Sequence, residues 1–206
     1  MLKLWGRTNS INVQKVLWCI EELGVPYERI DAGLKFGVVD TPEYRRMNPN
    51  GLVPTIQDDG FVLWESNAIV RYLAAKHGAG TLWPAEPHPR AEADRWMDWQ
   101  CTAFTPAQGP AFHGLIRTAP EKRDMNAIAQ SITKAETFAA LLDAHLSDRN
   151  FMAGDAFSVA DIAVGCAAHR WFNLPITREK RPNIDRWHAT LQARPATANV
   201  LVTPVT

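Results

Sequence analysis

Asn48-Pro49-Asn50-Gly51-Leu52-Val53-Pro54 leads into an apolar run, Val53 to Ile56, and a second run, Phe61 to Trp64, follows after Asp58-Asp59-Gly60. Two short runs split by an Asp-Gly turn predict a β-hairpin. Directly beyond lies Trp64-Glu65-Ser66-Asn67-Ala68-Ile69, where Ile69, Val70, Leu73 and Ala74 recur at helical spacing and Gly78 ends the pattern. On the other side, residues 2–5 form a short apolar strand. Val13, Val16, Leu17, Ile20 and Leu23 then repeat at helical spacing, Gly24 is a natural stop, and Tyr27 to Ile30 reads as a second strand. Strand, helix and strand joined by a long crossover imply parallel pairing and a right-handed connection. Residues 1–78 are therefore expected to form an α/β unit.

The pattern changes after Gly78. Gly78-Ala79-Gly80 with Pro84, Pro87 and Pro89 reads as a linker over 79–89. From 90 to 206 only helices are expected. One runs through Trp96 and Trp99 toward Phe104, and another carries Ile128, Ile132, Ala135, Phe138, Leu142 and Leu146. Ser158-Val159-Ala160-Asp161 opens a third with capping-box spacing, Asp standing for the usual Glu, and Ile184, Trp187 and Leu191 mark a fourth. The fold class is α/β followed by all-α.

Composition narrows the function classes. Among 206 residues, Lys+Arg and Asp+Glu are both 22. No nucleic acid partner is expected, because a basic face would be needed to hold one. Residues 1–7 lack the apolar stretch of a secretion signal, and no run approaches the roughly 20 apolar residues that span a bilayer. No membrane association is expected, and the cytoplasm is the default location. Cys19, Cys101 and Cys166 are far apart and form no CxxC pair, which disfavours a disulfide scaffold, a metal site and dithiol redox chemistry.

Three segments go beyond generic patterning: Trp5-Gly6-Arg7-Thr8-Asn9-Ser10-Ile11-Asn12-Val13, Asn48 to Pro54, and Trp64 to Ile69 followed by Arg71-Tyr72-Leu73. Together they resemble the cytosolic glutathione S-transferase family, most of all its bacterial members that use serine or a neighbour near the first helix. Gly154-Asp155-Ala156-Phe157-Ser158-Val159-Ala160-Asp161 is similar to the family's second-domain signature, so the resemblance spans essentially the whole chain. It implies a thioredoxin-like, glutathione-binding domain over 1–78. The all-helical domain over 90–206 would then shape the pocket for a small hydrophobic electrophile. It also implies detoxification chemistry, glutathione as co-substrate, no metal and a homodimer that sets one subunit's first domain against the other's second.

Glutathione's thiol is mostly protonated at neutral pH, so a donor aimed at the sulfur and the positive end of a helix are needed to stabilise the thiolate. Ser10, at the start of the first helix, is the resemblance's candidate for that role; capping the helix is its structural alternative. Where serine-type members often carry a proline, this chain has Ile11 and Asn12, and Asn12 becomes a second catalytic candidate. Arg7 and Thr8 lie on the same loop and can reach the thiol or the other substrate. The resemblance implies a cis peptide bond at Val53-Pro54, exposing main-chain groups of Val53 to the cysteinyl unit as an added strand would. Ser66 and the helix it opens suit the γ-glutamyl carboxylate, Glu65 its ammonium, and Lys35 the glycyl carboxylate. Trp99, Phe104, Phe112, His113, Arg117 and Trp171 are the candidates for the electrophile pocket. Asp161 is expected to be structural. A non-catalytic carrier of the same fold, or a glutathione-dependent peroxidase or disulfide reductase, are the alternatives.

Overall fold

The computed structural model describes residues 1–201 and residue 206. Its first half is a four-stranded sheet in the order β2-β1-β3-β4. Strand β1 (Leu2–Trp5) pairs in parallel with β2 (Tyr27–Ile30) and antiparallel with β3 (Thr55–Asp58), which in turn pairs with β4 (Phe61–Trp64). Along β1, Leu2 and Leu4 are buried while Lys3 and Trp5 are half-exposed, the alternation that a strand with one core face demands. Helix α1 (Ile11–Leu23) supplies the crossover. It stops at Gly24, whose left-handed conformation (φ 62°) lets its N–H reach back to the Ile20 and Glu21 carbonyls.

The hairpin closes through two residues with positive φ, Asp59 (47°) and Gly60 (92°), as a tight turn between right-twisted strands requires. Strand β3 begins two residues later than the apolar run suggested. Pro54 has no N–H to give a ladder, so pairing starts at Thr55. Helices α2 (Pro42–Met47) and α3 (Ser66–His77) complete this half, with α3 packed beside α1.

The second half is helical. Pro87 and Pro89, read above as part of a connection, instead occupy the first turn of α4 (Pro87–Trp99), where a missing N–H costs nothing. From α4 the chain passes through a widened turn (Gln100–Phe104), α5 (Thr105–Phe112) and a second widened turn (His113–Arg117). Pro106 cannot bond back to the Thr102 carbonyl, which fits a loosened ladder just before it. Helices α6 (Met125–His145), α7 (Val159–Phe172) and α8 (Pro182–Gln192) follow. Helix α7 is buried along nearly its whole length and forms the centre of this half. It opens with the expected capping box of Ser158 and Asp161.

The halves are welded together. Trp18 of α1 is fully buried and lies so close to Gly165 of α7 that a Cβ there would come within 2.9 Å of the indole. Arg194 grips Glu22 through two hydrogen bonds of 2.6 and 2.7 Å, and Arg71 of α3 pairs with Asp94 and Asp98 of α4. Lys15, almost fully buried at the same seam, donates to Asn67 Oδ1 (3.0 Å) and Gln100 Oε1 (3.1 Å). Its neutral partners do not offset the loss of water, so desolvation lowers its pKa to about 8.

Candidate active site

The segment 48–55 is shaped by hydrogen bonds to its own side chains. Asn48 Nδ2 donates to the Leu52 carbonyl (2.9 Å) and to Thr55 Oγ1 (3.0 Å), while its Oδ1 accepts from the Asn50 N–H (3.1 Å). The buried Tyr44 hydroxyl donates to the same Leu52 carbonyl at 2.6 Å. Gly51 sits at φ 62° beneath the Arg45 guanidinium, where a Cβ would meet atoms at 2.4 to 2.8 Å. This scaffold holds the Val53–Pro54 peptide bond in the cis form. Among the described residues, neither the N–H nor the C=O of Val53 has an intrachain hydrogen bond. Main-chain groups presented in this way can accept an extended peptide.

Facing them is the start of α3. Glu65, the residue before the helix, has φ 72° and ψ 110°, a conformation that costs a non-glycine residue roughly 1–3 kcal/mol. No side chain caps this helix, so its first N–H groups are available to an anion. Ser66 is buried and donates to Asn12 Oδ1 at 3.3 Å, joining the start of α3 to the start of α1. Asn12, Val53, Pro54, Trp64, Glu65 and Ser66 line one cleft.

The remaining candidates divide. Ser10 stands at the N-terminal boundary of α1, is largely buried and makes no capping hydrogen bond. Asn12, one residue into the helix, is exposed and lies in the cleft. Arg7 and Thr8 are half-buried on the preceding loop, and Arg7 Nη1 lies 3.4 Å from where a Gly33 Cβ would stand. Lys35 is exposed with its ammonium 5.1 Å from the Phe36 ring, and it does not line the cleft.

The six residues read for the electrophile pocket separate into three places. Trp99 stacks on the fully buried Phe104 at 5.4 Å and meets Phe138 edge-on, a core cluster. Trp171 is also buried in the core, because α7 is central. Phe112, His113 and Arg117 do come together: His113 meets the Phe112 ring edge-on and the Arg117 guanidinium lies 4.6 Å from its centroid. His113 is held below its usual pKa by desolvation and then by Arg117 and Arg170. Sequence reasoning missed Arg170 of α7, whose guanidinium lies 4.1 Å from the same ring. It also missed Lys15. Neither residue belongs to a motif; both matter through what the fold places beside them. The thiols of Cys19 and Cys166 are buried and pushed up by desolvation, Cys166 to about 12. Among the described residues, no group of three or more His, Cys, Asp or Glu could hold a metal ion, and no helix is long and apolar enough to cross a membrane.

A thioredoxin-like four-stranded sheet with a cis-proline cleft, packed against an all-helical half, defines a two-domain class, α/β followed by all-α. The family model for the glutathione S-transferase N-terminal domain matches residues 1–75, and that for the C-terminal domain matches residues 125–190. Glutathione S-transferase GstB of Escherichia coli K12 is 47% identical over 207 residues, covering 100% of both chains. A probable glutathione S-transferase, GSTF2 of Oryza sativa, is 30% identical, covering 97% of this chain and 95% of its own. A theta class glutathione S-transferase from Xanthomonas axonopodis pv. citri, solved with glutathione bound, superposes with a TM-score of 0.96 at 45% identity. That match covers 100% of this chain and 99% of the other. The chain belongs to the glutathione S-transferase family, and it is a transferase with a thioredoxin-like first domain and a helical second one.

Proposed function

We propose that this protein activates the thiol of glutathione for attack on a small electrophile, with residues 1–78 binding the tripeptide, the segment ahead of α4 linking, and the helical half from α4 onward shaping the second-substrate pocket. The observation that carries the reading is the juxtaposition of the Val53 main chain, free beside a cis-proline, with the uncapped start of α3 at Glu65 and Ser66. The cysteinyl unit pairs with Val53. The γ-glutamyl carboxylate sits on Ser66 and the α3 N–H groups, with its ammonium on Glu65, and Lys35 meets the glycyl carboxylate. The sulfur then lies by the start of α1, near Ser10, Asn12, Arg7 and Thr8, where helix dipole and side-chain donors lower the thiol's pKa. In the transfer the thiolate attacks the electrophilic carbon, a C–S bond forms, and the leaving group departs with the bonding pair.

Lowering a thiol from about 8.5 by about two units requires roughly 2.7 kcal/mol of added thiolate stabilisation. Titrating the ultraviolet thiolate absorbance of bound glutathione against pH is expected to show such a shift, and Ser10→Ala or Asn12→Ala is expected to abolish it. Lining of the cleft favours Asn12 as the donor, whereas the serine-type resemblance assigns that role to Ser10. A bound thiol that ionises at its free value would overturn the transferase reading in favour of a carrier.

The same reading includes a cytoplasmic homodimer. Leu52, Phe61 and Trp64 are 65%, 51% and 37% exposed at or near the β4 edge, an apolar surface that a second subunit would cover. Light scattering that finds only a 23.0 kDa species at micromolar concentration would exclude that dimer.

A further inference from the structure

Half-buried arginines elsewhere in this chain have their guanidinium groups satisfied, Arg90, Arg123 and Arg178 on main-chain carbonyls and others on carboxylates. Arg71 pairs with Asp94, Arg181 with Glu136 and Arg194 with Glu22. Three others stand apart. Among the described residues, no Asp or Glu side chain lies within ion-pair distance of Arg7, of the exposed Arg117 or of Arg170, and the Arg170 guanidinium makes no hydrogen bond. Arg7 Nε is sealed from solvent without a partner. Arg117 Nη2 donates to the main-chain oxygen of Thr206 at 2.9 Å.

These three come from the β1–α1 loop, the end of the second widened turn and the last turn of α7, yet they converge. The guanidinium carbons of Arg117 and Arg170 lie 4.6 and 4.1 Å from the centroid of one ring, Phe112. Arg7 is close enough that its charge depresses Arg170, and Arg117 depresses both; in all three, desolvation is the larger cause. An aromatic face attracts a cation, but it does not neutralise several that repel one another. Gathering like charges and stripping them of water is unfavourable until an anion arrives. The place matters as well: the Ser10 N–H bonds to the Arg7 carbonyl at 3.2 Å, so the cluster begins on the loop where the thiol is proposed to lie.

We propose that Arg117 and Arg170, which share the Phe112 ring, together with Arg7 of the β1–α1 loop form an anion site that takes the carboxylate, or an oxyanion of similar size, on the second substrate. The electrophiles this transferase prefers are therefore anionic ones. The planar guanidinium fork suits a carboxylate in two-point contact, and the Thr206 oxygen on Arg117 marks where one oxygen would sit. This deepens the transferase reading and rests on it for turnover, but the site itself is testable without turnover.

The test is calorimetric titration of the glutathione-saturated protein with benzoate and with benzamide at low ionic strength. Benzoate is expected to bind at least about tenfold more tightly, the scale of a charge-assisted pair in a desolvated site. Arg170→Gln and, at the exposed rim, Arg117→Gln are each expected to erase most of that preference. Equal affinity for the two ligands, or a preference that survives both substitutions, overturns the proposal. A kinetic arm separates it from the transferase reading. For chloronitrobenzoate against chlorodinitrobenzene, each kcat/KM is divided by the uncatalysed rate with glutathione. The ratio is expected to favour the carboxylate and to fall about tenfold in Arg170→Gln. Turnover of both substrates with an unchanged ratio sinks the anion site alone. Absence of turnover with an unshifted thiol sinks the transferase reading, and the benzoate titration still decides the site.

Discussion

The two halves of this protein build their functional ends from different materials. In the thioredoxin-like half the cleft is largely main chain: a cis bond at Val53-Pro54, a left-handed Gly51 and an unusual Glu65 ahead of α3. In the helical half, the arginine corner proposed as an anion site is a set of side chains, Phe112, Arg117 and Arg170, carried by regular helices and a widened turn. Main-chain shape demands particular residue types at consecutive positions. A side-chain corner can draw on residues from anywhere in the chain. The first half should therefore tolerate side-chain removal and resist changes of backbone, and the second half should do the reverse.

The largest test of that contrast lies at Asp161. This fully buried carboxylate accepts from the Met152 N–H (2.8 Å), the Ser158 N–H (3.0 Å) and Trp187 Nε1 (2.9 Å), tying α7 to the preceding loop and to α8. Asp161→Ala leaves three buried donors unpaired, at a cost of about 4 kcal/mol. Ser66→Ala, which leaves the backbone of the cleft intact, should cost less than about 1 kcal/mol of stability. Urea unfolding of both variants without glutathione gives the comparison. If the two losses are similar, the helical half does not depend on its side-chain network more than the other half does.

That contrast also explains what could be read in advance. The strand-helix-strand order, the Asp59-Gly60 turn and the Ser158–Asp161 capping box all follow from local pattern, and the structure has them where the pattern places them. At Asn48 to Pro54 the cis bond came from the family resemblance alone, and the structure has it; the Asn48 side-chain bond to the Leu52 carbonyl and the positive φ of Gly51 are what the fold adds. Trp99, Phe104 and Trp171 were read as pocket residues because an aromatic in a helical pattern looks the same whether it faces a core or a cavity. Two of them, Phe104 and Trp171, are buried in the core. Arg170 and Lys15 were missed because helical spacing says nothing about which element packs opposite. Their significance is entirely tertiary.

Lys15 provides the second test, at the seam where the halves meet. Its folded pKa, about 8, lies below the 10.5 of a free lysine because desolvation outweighs its two amide partners. Between those values the unfolded chain holds a proton that the folded chain has released. Stability due to this group therefore rises with pH across that window and is lost as pH falls through it. The full swing is about 3 kcal/mol. Lys15→Met removes the titration. The stability of wild type relative to Lys15→Met is expected to increase by that amount from pH 7.5 to 10.5, whatever the sign at either end. A constant difference would mean that water or structural relaxation solvates the ammonium, and that the seam is looser than its packing.

The smallest effect bears most directly on the main-chain half. Glu65 occupies a positive φ that glycine adopts freely, so Glu65→Gly relieves strain while adding some unfolded-state entropy. The net expectation is a gain of about 1 kcal/mol in unfolding free energy. If the Glu65 carboxylate meets the γ-glutamyl ammonium, the same variant should bind glutathione about tenfold more weakly, the equivalent of about 1.4 kcal/mol. Glu65→Gln separates the two contributions, since it keeps the strained backbone but removes the charge: its stability should match wild type and its affinity should match the glycine variant. A glycine variant that is more stable and binds glutathione normally would show that the backbone turn alone makes the site. A less stable glycine variant would show that neighbouring contacts already favour this φ, so that no strain is there to relieve.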